Sequence, residues 1–313
     1  MIIVTGGAGF IGSNLIKGLN DKGIRDILIV DNMKNSSKHL NLNRLEFTDY
    51  IDKSSFFDIF EEIASEVEIV FHQGACSDTM ESDGKYMMEN NYDYSCALFN
   101  SCVQHGIRFI YASSASVYGD GDDGFIEKRE CEYPLNVYAF SKFMFDNYVR
   151  KFPQVVKSQV VGLRYFNVYG QQENHKGRMA SVIRHFFNQY RENKEISVFE
   201  GSDQFQRDFI YVDDVVKVNM HFMENSFLNG IYNCGTGKCR SFADIADIFR
   251  ARYSDAVIKE IPFPQSLVGK YQKYTQADIE KLSSAAYEGS FTSLEDGVNA
   301  YLDILERTDG YIK

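Results

Sequence analysis

Short apolar runs recur through the first half of the chain at Ile2-Ile3-Val4, Ile27-Leu28-Ile29-Val30, Val67-Glu68-Ile69-Val70-Phe71, Phe109-Ile110-Tyr111 and Val160-Val161-Gly162-Leu163. Each is strand-sized and separated from the next by room for a helix, the rhythm of a parallel sheet covered on both faces. Between the first two runs, Ile11, Leu15, Ile16 and Leu19 recur at helical spacing, which predicts a crossover helix and hence a βαβ unit at the start of the chain. After about Asn167 the rhythm loosens into turn-forming stretches at 171–177 and at Gly235-Thr236-Gly237. The pattern predicts an α/β protein with a doubly wound parallel sheet and a smaller mixed lobe towards the C-terminus. Residues 1–166 would form the first unit, with a return to it near 208–234, while 167–207 and 235–313 would form the lobe.

Composition narrows the picture without changing it. A chain of 313 residues with 44% hydrophobic and 25% charged residues and 4 prolines is an ordinary globular protein. The formal charge of −11 argues against a nucleic-acid-binding surface and against a membrane-surface role, while leaving room for local cations around an anionic small molecule. Met1–Val4 runs into Thr5-Gly6-Gly7 with no basic flank, so no signal peptide is expected, and no run has the length of a membrane span. A cytoplasmic location follows as an expectation. The six scattered cysteines suit reduced thiols, and Cys234 with Cys239 lacks the partners of a metal site, so no metal is expected.

The first chemical signal is Thr5-Gly6-Gly7-Ala8-Gly9-Phe10-Ile11-Gly12, lying after a strand and at the mouth of a helix. In that context Gly6 serves a tight turn, Gly9 the approach of a pyrophosphate, and Gly12 close packing of helix on sheet, the arrangement of a Rossmann dinucleotide site. Asp31 closes the second strand where a carboxylate meets ribose hydroxyls, which points to NAD; Lys34, Lys38 and Lys53 nearby could neutralise the 2′-phosphate of NADP. On the residues alone the choice stays open. A second signal pairs Tyr138 with Lys142, one helical turn apart, and both follow Ser113-Ser114-Ala115-Ser116 after a predicted strand. An adjacent ammonium would lower the tyrosine's pKa towards neutrality, so that Tyr138 can take a hydroxyl proton while Ser114 binds the same oxygen.

Gly6, Gly9 and Gly12 with Ser114, Tyr138 and Lys142 resemble the nucleotide-binding motif and catalytic triad of extended short-chain dehydrogenase/reductases, the NAD-dependent epimerase/dehydratase family. The stretches MIIVTGGAGFIGSN, GKYMMENNYDYS, RYFNVYG, HKGRMASV, FEGSDQFQRDFIYVDDV and KYQKYTQADI extend the resemblance over both halves, to members that epimerise ADP-heptose at C6 for lipopolysaccharide. The resemblance implies a bound NADP, a transient oxidation, and return of hydride to the opposite face of the sugar. It implies cofactor contacts at Phe10, Ile11, Asp31, Asn32, Lys38, Lys53, Gln73, Gly74, Ala75, Cys76, Ser77, Asn90, Lys142 and Val168, with Gln73 standing where the family has glutamate. It implies substrate contacts at Ser114, Asn167, Arg178, His185, Phe199, Glu200, Gly201, Ser202, Arg207 and Tyr271, with Arg178 at a position where the pattern has serine. Lys176, a solvated loop charge on the residues alone, becomes by resemblance a second acid/base facing Tyr138. A homo-oligomer, commonly a pentamer, is also implied. The alternatives are a UDP-sugar 4-epimerase, a dehydratase, and a non-catalytic dinucleotide sensor. Ala115 and Ser116 occupy the positions of the acidic pair a dehydratase needs, and the intact Tyr138–Lys142 pair argues against the sensor.

Overall fold

The apolar runs form strands in the computed structural model, which describes residues 1–152, 158–264 and 272–313. The first half reads β1 (Ile2–Thr5), α1 (Phe10–Asp21), β2 (Ile27–Asp31), β3 (Asp49–Asp52), α2 (Phe56–Ile63), β4 (Ile69–His72), α3 (Gly84–Met88), α4 (Tyr94–His105), β5 (Arg108–Ser114), α5 (Val137–Arg150) and β6 (Val160–Tyr165). The second half reads β7 (Asn167–Tyr169), α6 (Val182–Asn193), β8 (Glu195–Phe199), β9 (Gln206–Tyr211), α7 (Val212–Glu224), β10 (Gly230–Cys234), β11 (Cys239–Ser241), α8 (Phe242–Arg252), β12 (Val257–Ile261), α9 (Glu280–Ser284) and α10 (Leu294–Thr308).

Seven strands form one sheet in the order β3-β2-β1-β4-β5-β6-β10, and every pairing in it is parallel. Side chains alternate between the faces. Ile3, Leu28, Val70 and Phe109 pack with Phe56, Phe60, Phe99 and Phe145 from α2, α4 and α5. Ile2, Val4, Ile29, Phe71 and Leu163 pack on the other face with Leu15, Ile16 and Leu19 of α1 and Val215, Val218 and Phe222 of α7. The sheet is therefore buried on both sides, which is why its strands read as continuous apolar runs rather than as alternating ones.

The smaller part contains a three-stranded sheet, β11-β9-β7, and the parallel pair β12-β8. These surround a second core in which Phe186, Phe249, Val298 and Leu302 of α6, α8 and α10 meet. The return to the large sheet is made by α7, which packs on it, and by β10. Only the start of the expected 208–234 stretch differs, since 206–211 pairs with β7 and β11 after β7 has carried the chain off the sheet. The edge strand β3 carries no apolar run; Asp49, Tyr50, Ile51 and Asp52 are partly or wholly exposed and owe their strand to pairing with β2. Among the described residues, no helix is long and apolar enough to cross a membrane.

A buried ionic cluster fixes α5 against the sheet. Arg164 of β6 is fully buried and pairs with Asp146 of α5 at 2.8 Å and with Glu132. Asp146 also accepts hydrogen bonds from Tyr111 and Ser113 of β5, both at 3.0 Å. Donors from β5 and β6 thus converge on one carboxylate of α5, one of them from Ser113, the residue before Ser114.

Candidate active site

The C-terminal ends of the central strands open into a cavity of about 1010 Å³, where a sheet of this order forms its crevice. The glycine loop lines it. Gly6 has φ +67, and a Cβ there would lie 2.6 Å from the Gly74 nitrogen, so the turn and the close approach of the β1 and β4 loops both require glycine. At Gly12 a Cβ would fall 2.2 Å from the Gly6 carbonyl oxygen. Gly12 therefore lets α1 fold back on its own loop. The close packing on the sheet expected of it belongs to Gly7, where a Cβ would lie 2.9 Å from the Ile29 side chain. No side chain caps the start of α1, leaving its first N–H groups free to meet an anion.

At the adenosine end, Asp31 accepts from the N–H of Ala8 at 2.9 Å and of Asn32 at 2.7 Å, and pairs with the Lys38 ammonium. Lys53 donates to the side-chain oxygen of Asn90, and burial followed by the proximity of Lys34 pulls its amine below the usual range. A glycine-only backbone gap, free helix N–H groups and an acid with its own counter-cation fit a dinucleotide.

Asn136 caps α5 by accepting from the Ala139 N–H at 2.8 Å, which places Tyr138 and Lys142 in its first turns at the cavity wall. The Lys142 ammonium donates to the Ala112 carbonyl at 2.9 Å. Burial pulls its pKa down to about 8, with Asp146 one turn further on working the other way. The Tyr138 phenol is pushed up by burial, and its hydrogen bond with Ser114 only opposes that. This corrects the expectation that Lys142 would bring it towards neutrality: desolvation outweighs a cation already engaged with a carbonyl. Ser116 donates its hydroxyl to Ser114 Oγ at 2.8 Å and its N–H at 3.2 Å, so the position where a dehydratase would carry an acid serves here to orient the serine.

The sequence did not reveal the polar chain behind these groups. Residues Glu89–Asp93 form a π-turn between α3 and α4, of the kind frequent at functional sites. Asn91 in that turn accepts from the Cys76 N–H at 2.8 Å, donates to the Cys76 carbonyl at 2.9 Å, and donates to Ser141 of α5 at 3.1 Å. Ser95 donates to the Asn91 carbonyl at 2.7 Å. Ser95 Oγ therefore accepts from His72 Nε2 at 2.8 Å, and His72 Nδ1 accepts from Thr5 at 2.6 Å. Burial, then the charge of Lys142, pushes His72 down to about 3, so this neutral form persists. The chain links the glycine loop to the helix that bears Tyr138.

Every residue expected to contact the cofactor lines the cavity, as do Ser114, Asn167, Lys176 and Arg178. The Lys176 amine stands 5.0 Å from the centroid of the Phe10 ring, and burial lowers its pKa while Glu173 opposes this. Arg178 forms an exposed ion pair with Asp78 at 2.6 Å. His185 lies on α6, with its ring 3.3 Å from the Arg178 carbonyl, and does not line the cavity. Phe199 ends β8, Glu200, Gly201 and Ser202 follow it, and all four lie outside the lining. Arg207 is buried on β9, donates to the carbonyls of Gln206 and Gln272, and sits 5.7 Å from the Phe242 ring. Phe242 and Gln272 are themselves on the wall, so Arg207 stands one layer behind it. Tyr271 lies outside the described residues. Phe209, Phe242, Met179 and Thr275 complete the wall; none carries a spacing signal, because the lobe's fold alone brings them together.

Residues 2–235 match the NAD dependent epimerase/dehydratase family. The chain is 58% identical over 317 residues to ADP-L-glycero-D-manno-heptose-6-epimerase of Brachyspira hyodysenteriae, with all of both chains covered. Among solved structures it resembles the ADP-L-glycero-D-manno-heptose-6-epimerase of Helicobacter pylori, with a TM-score of 0.84 and 29% identity over 98% of this chain and 96% of that one. It also resembles the UDP-glucose 4-epimerase of Thermotoga maritima in complex with UDP-glucose, with a TM-score of 0.82 and 27% identity over 98% and 99% of the two chains. With the glycine loop, the Ser114–Tyr138–Lys142 constellation and a match running through three quarters of the sequence, the chain belongs to the NAD dependent epimerase/dehydratase family.

Proposed function

We propose that the protein is an ADP-L-glycero-D-manno-heptose 6-epimerase that uses NADP and inverts C6 of ADP-heptose by transient oxidation. The observation that carries this reading is that Tyr138 on α5 and Lys176 on the loop after β7 line one cavity from two different parts of the fold. An epimerase that oxidises and then reduces one carbon must give up and supply protons on two faces of a keto sugar, and two separately mounted acid/base groups meet that need. The full-length relative supports the choice of sugar. Ser114 would hold the reacting oxygen; Tyr138 would exchange its proton on one face and Lys176 on the other. Lys142 would supply positive charge beside Tyr138, and Asn167 and Arg178 would contact the sugar-nucleotide.

A nicotinamide coenzyme bound along the glycine loop supplies a reversible two-electron acceptor. NADP is preferred because the carboxylate that would repel a 2′-phosphate, Asp31, is already paired with Lys38, and Lys34 and Lys53 flank the same wall. We further propose a cytoplasmic homo-oligomer, pentameric as in the family; light scattering at several concentrations would test the subunit number.

The deciding experiment incubates the purified protein with ADP-D-glycero-D-manno-heptose and follows C6 by NMR, after the copurified coenzyme has been identified by mass. The expected result is conversion to the L-glycero epimer with no net change in coenzyme oxidation state. Turnover of UDP-glucose instead would move the assignment to a 4-epimerase, and recovery of NAD would overturn the cofactor choice.

A further inference from the structure

Lys176 sits in a short 3-10 turn at 174–179, between β7 and α6, that is broken at Gly177 directly after it, so the turn's own backbone bonds do not fix where its amine points. Glu173, one turn earlier, is completely buried. Its carbonyl accepts from the Lys176 N–H at 3.0 Å. Its carboxylate reaches across to the far end of the loop, accepting from the Ser181 N–H at 2.7 Å and from the Ser181 hydroxyl at 2.5 Å. A third hydrogen bond at 3.0 Å comes from the hydroxyl of Tyr301, a fully buried residue of α10. Ser181 is also the cap of α6. One carboxylate thus ties the start of the loop, its end, the first turn of the next helix and a helix from the C-terminal part.

We propose that Glu173 is a positioning residue, a buried clasp that closes the 173–181 loop and sets the Lys176 amine above the Phe10 ring. Burying a carboxylate costs several kcal/mol unless its oxygens are satisfied, and here the donors are those whose alignment shapes the loop. Inside the clasp, Gly177 turns the chain at φ +54 immediately after Lys176, so the lysine's direction depends on where the two ends are pinned. The Glu173 carboxylate is also the anion that counters the effect of burial on Lys176. Removing the carboxylate should leave α5 untouched and let Lys176 wander.

The inference rests on the proposed function for its kinetic arm and on loop dynamics for its independent one. In the coenzyme-loaded protein, absorbance of the reduced nicotinamide is followed in single turnovers started with each C6 epimer in turn. Glu173→Ala should slow the reaction about 100-fold, the cost of a misplaced group, with one epimer while leaving the other near wild type, because only one direction of oxidation begins at Lys176. Ser181→Ala and Tyr301→Phe, each removing one clasp hydrogen bond, should give smaller effects of the same one-sided kind and guard against misfolding of the first variant. Equal slowing with both epimers, or none with either, would overturn the proposal. If wild-type protein reduces its coenzyme with neither epimer, the functional reading fails. The clasp is then decided by hydrogen exchange of residues 174–180, which should rise about tenfold or more in Glu173→Ala, the consequence of losing hydrogen bonds to a charged group. Unchanged exchange there would overturn it.

Discussion

Tyr138 is carried in the first turn of a 14-residue helix capped by Asn136 and braced from behind by Arg164 and Asp146, whereas Lys176 is carried by a loop held through a side-chain clasp. Both reach one cavity. The first mount is made of regular backbone hydrogen bonds and close packing, so many contacts share its stiffness. The second is a short turn whose two ends are drawn together by one carboxylate, with single side-chain contacts from Asn35 to the His175 carbonyl and from Asn174 to the Asp309 carbonyl beside it. A site assembled this way can be disabled on one side without disturbing the other.

The sharpest test of that asymmetry is chemical. Tyr138→Phe should lower epimerisation by about 10³-fold, and Lys176→Met should do comparable damage, while each variant retains coenzyme reduction with the opposite epimer. Loss of reduction with both epimers in either variant would break the comparison. Next in size is stability. Arg164→Met leaves Asp146 buried without its cation, while Glu132 keeps its pairing with Arg150, and denaturant unfolding should show a loss of about 3–5 kcal/mol. Ser181→Ala, on the loop side, should cost about 1 kcal/mol.

A separate readout is a pH slope. Burial holds His72 at about 3 and His175 at about 4, the latter helped by Lys38 and Lys176, both below the value of about 6.5 for a free histidine. A depressed folded-state pKa means that the unfolded chain binds the proton more readily. The stabilisation is therefore complete above about pH 6.5 and is lost on acidification by about 1.4 kcal/mol per pH unit. Loss should continue down to the His72 value on the helix side and stop near pH 4 for His175 on the loop side. Urea midpoints measured across this range for His72→Gln and His175→Gln should each lack one of these components.

What could be read from the sequence follows the same division. The glycine loop, Asp31 and the Tyr138–Lys142 pair were legible because each depends on neighbours within one turn or one βαβ unit. The direction of the Tyr138 shift was not, since burial is a property of the assembled lobes. Glu173 and Tyr301 are 128 residues apart in the chain, and nothing in either local pattern announces their meeting. Arg207 and His185 were singled out by resemblance, yet spacing could not say that Phe242 and Gln272, rather than the arginine, would line the cavity. β3 was missed because an exposed edge strand needs no apolar run.

The π-turn at 89–93 can also be viewed as a matter of chain length. A wide turn accommodates one residue more than a regular helix would, and each residue advances an α-helix by about 100°. Deleting a single residue from this stretch would restore an even helix and rotate one half against the other by about that angle. Asn90, which meets Lys53, and Asn91, which grips Cys76, could then no longer both face their partners. The segment should thus tolerate many exchanges of side chain and almost no change in residue count.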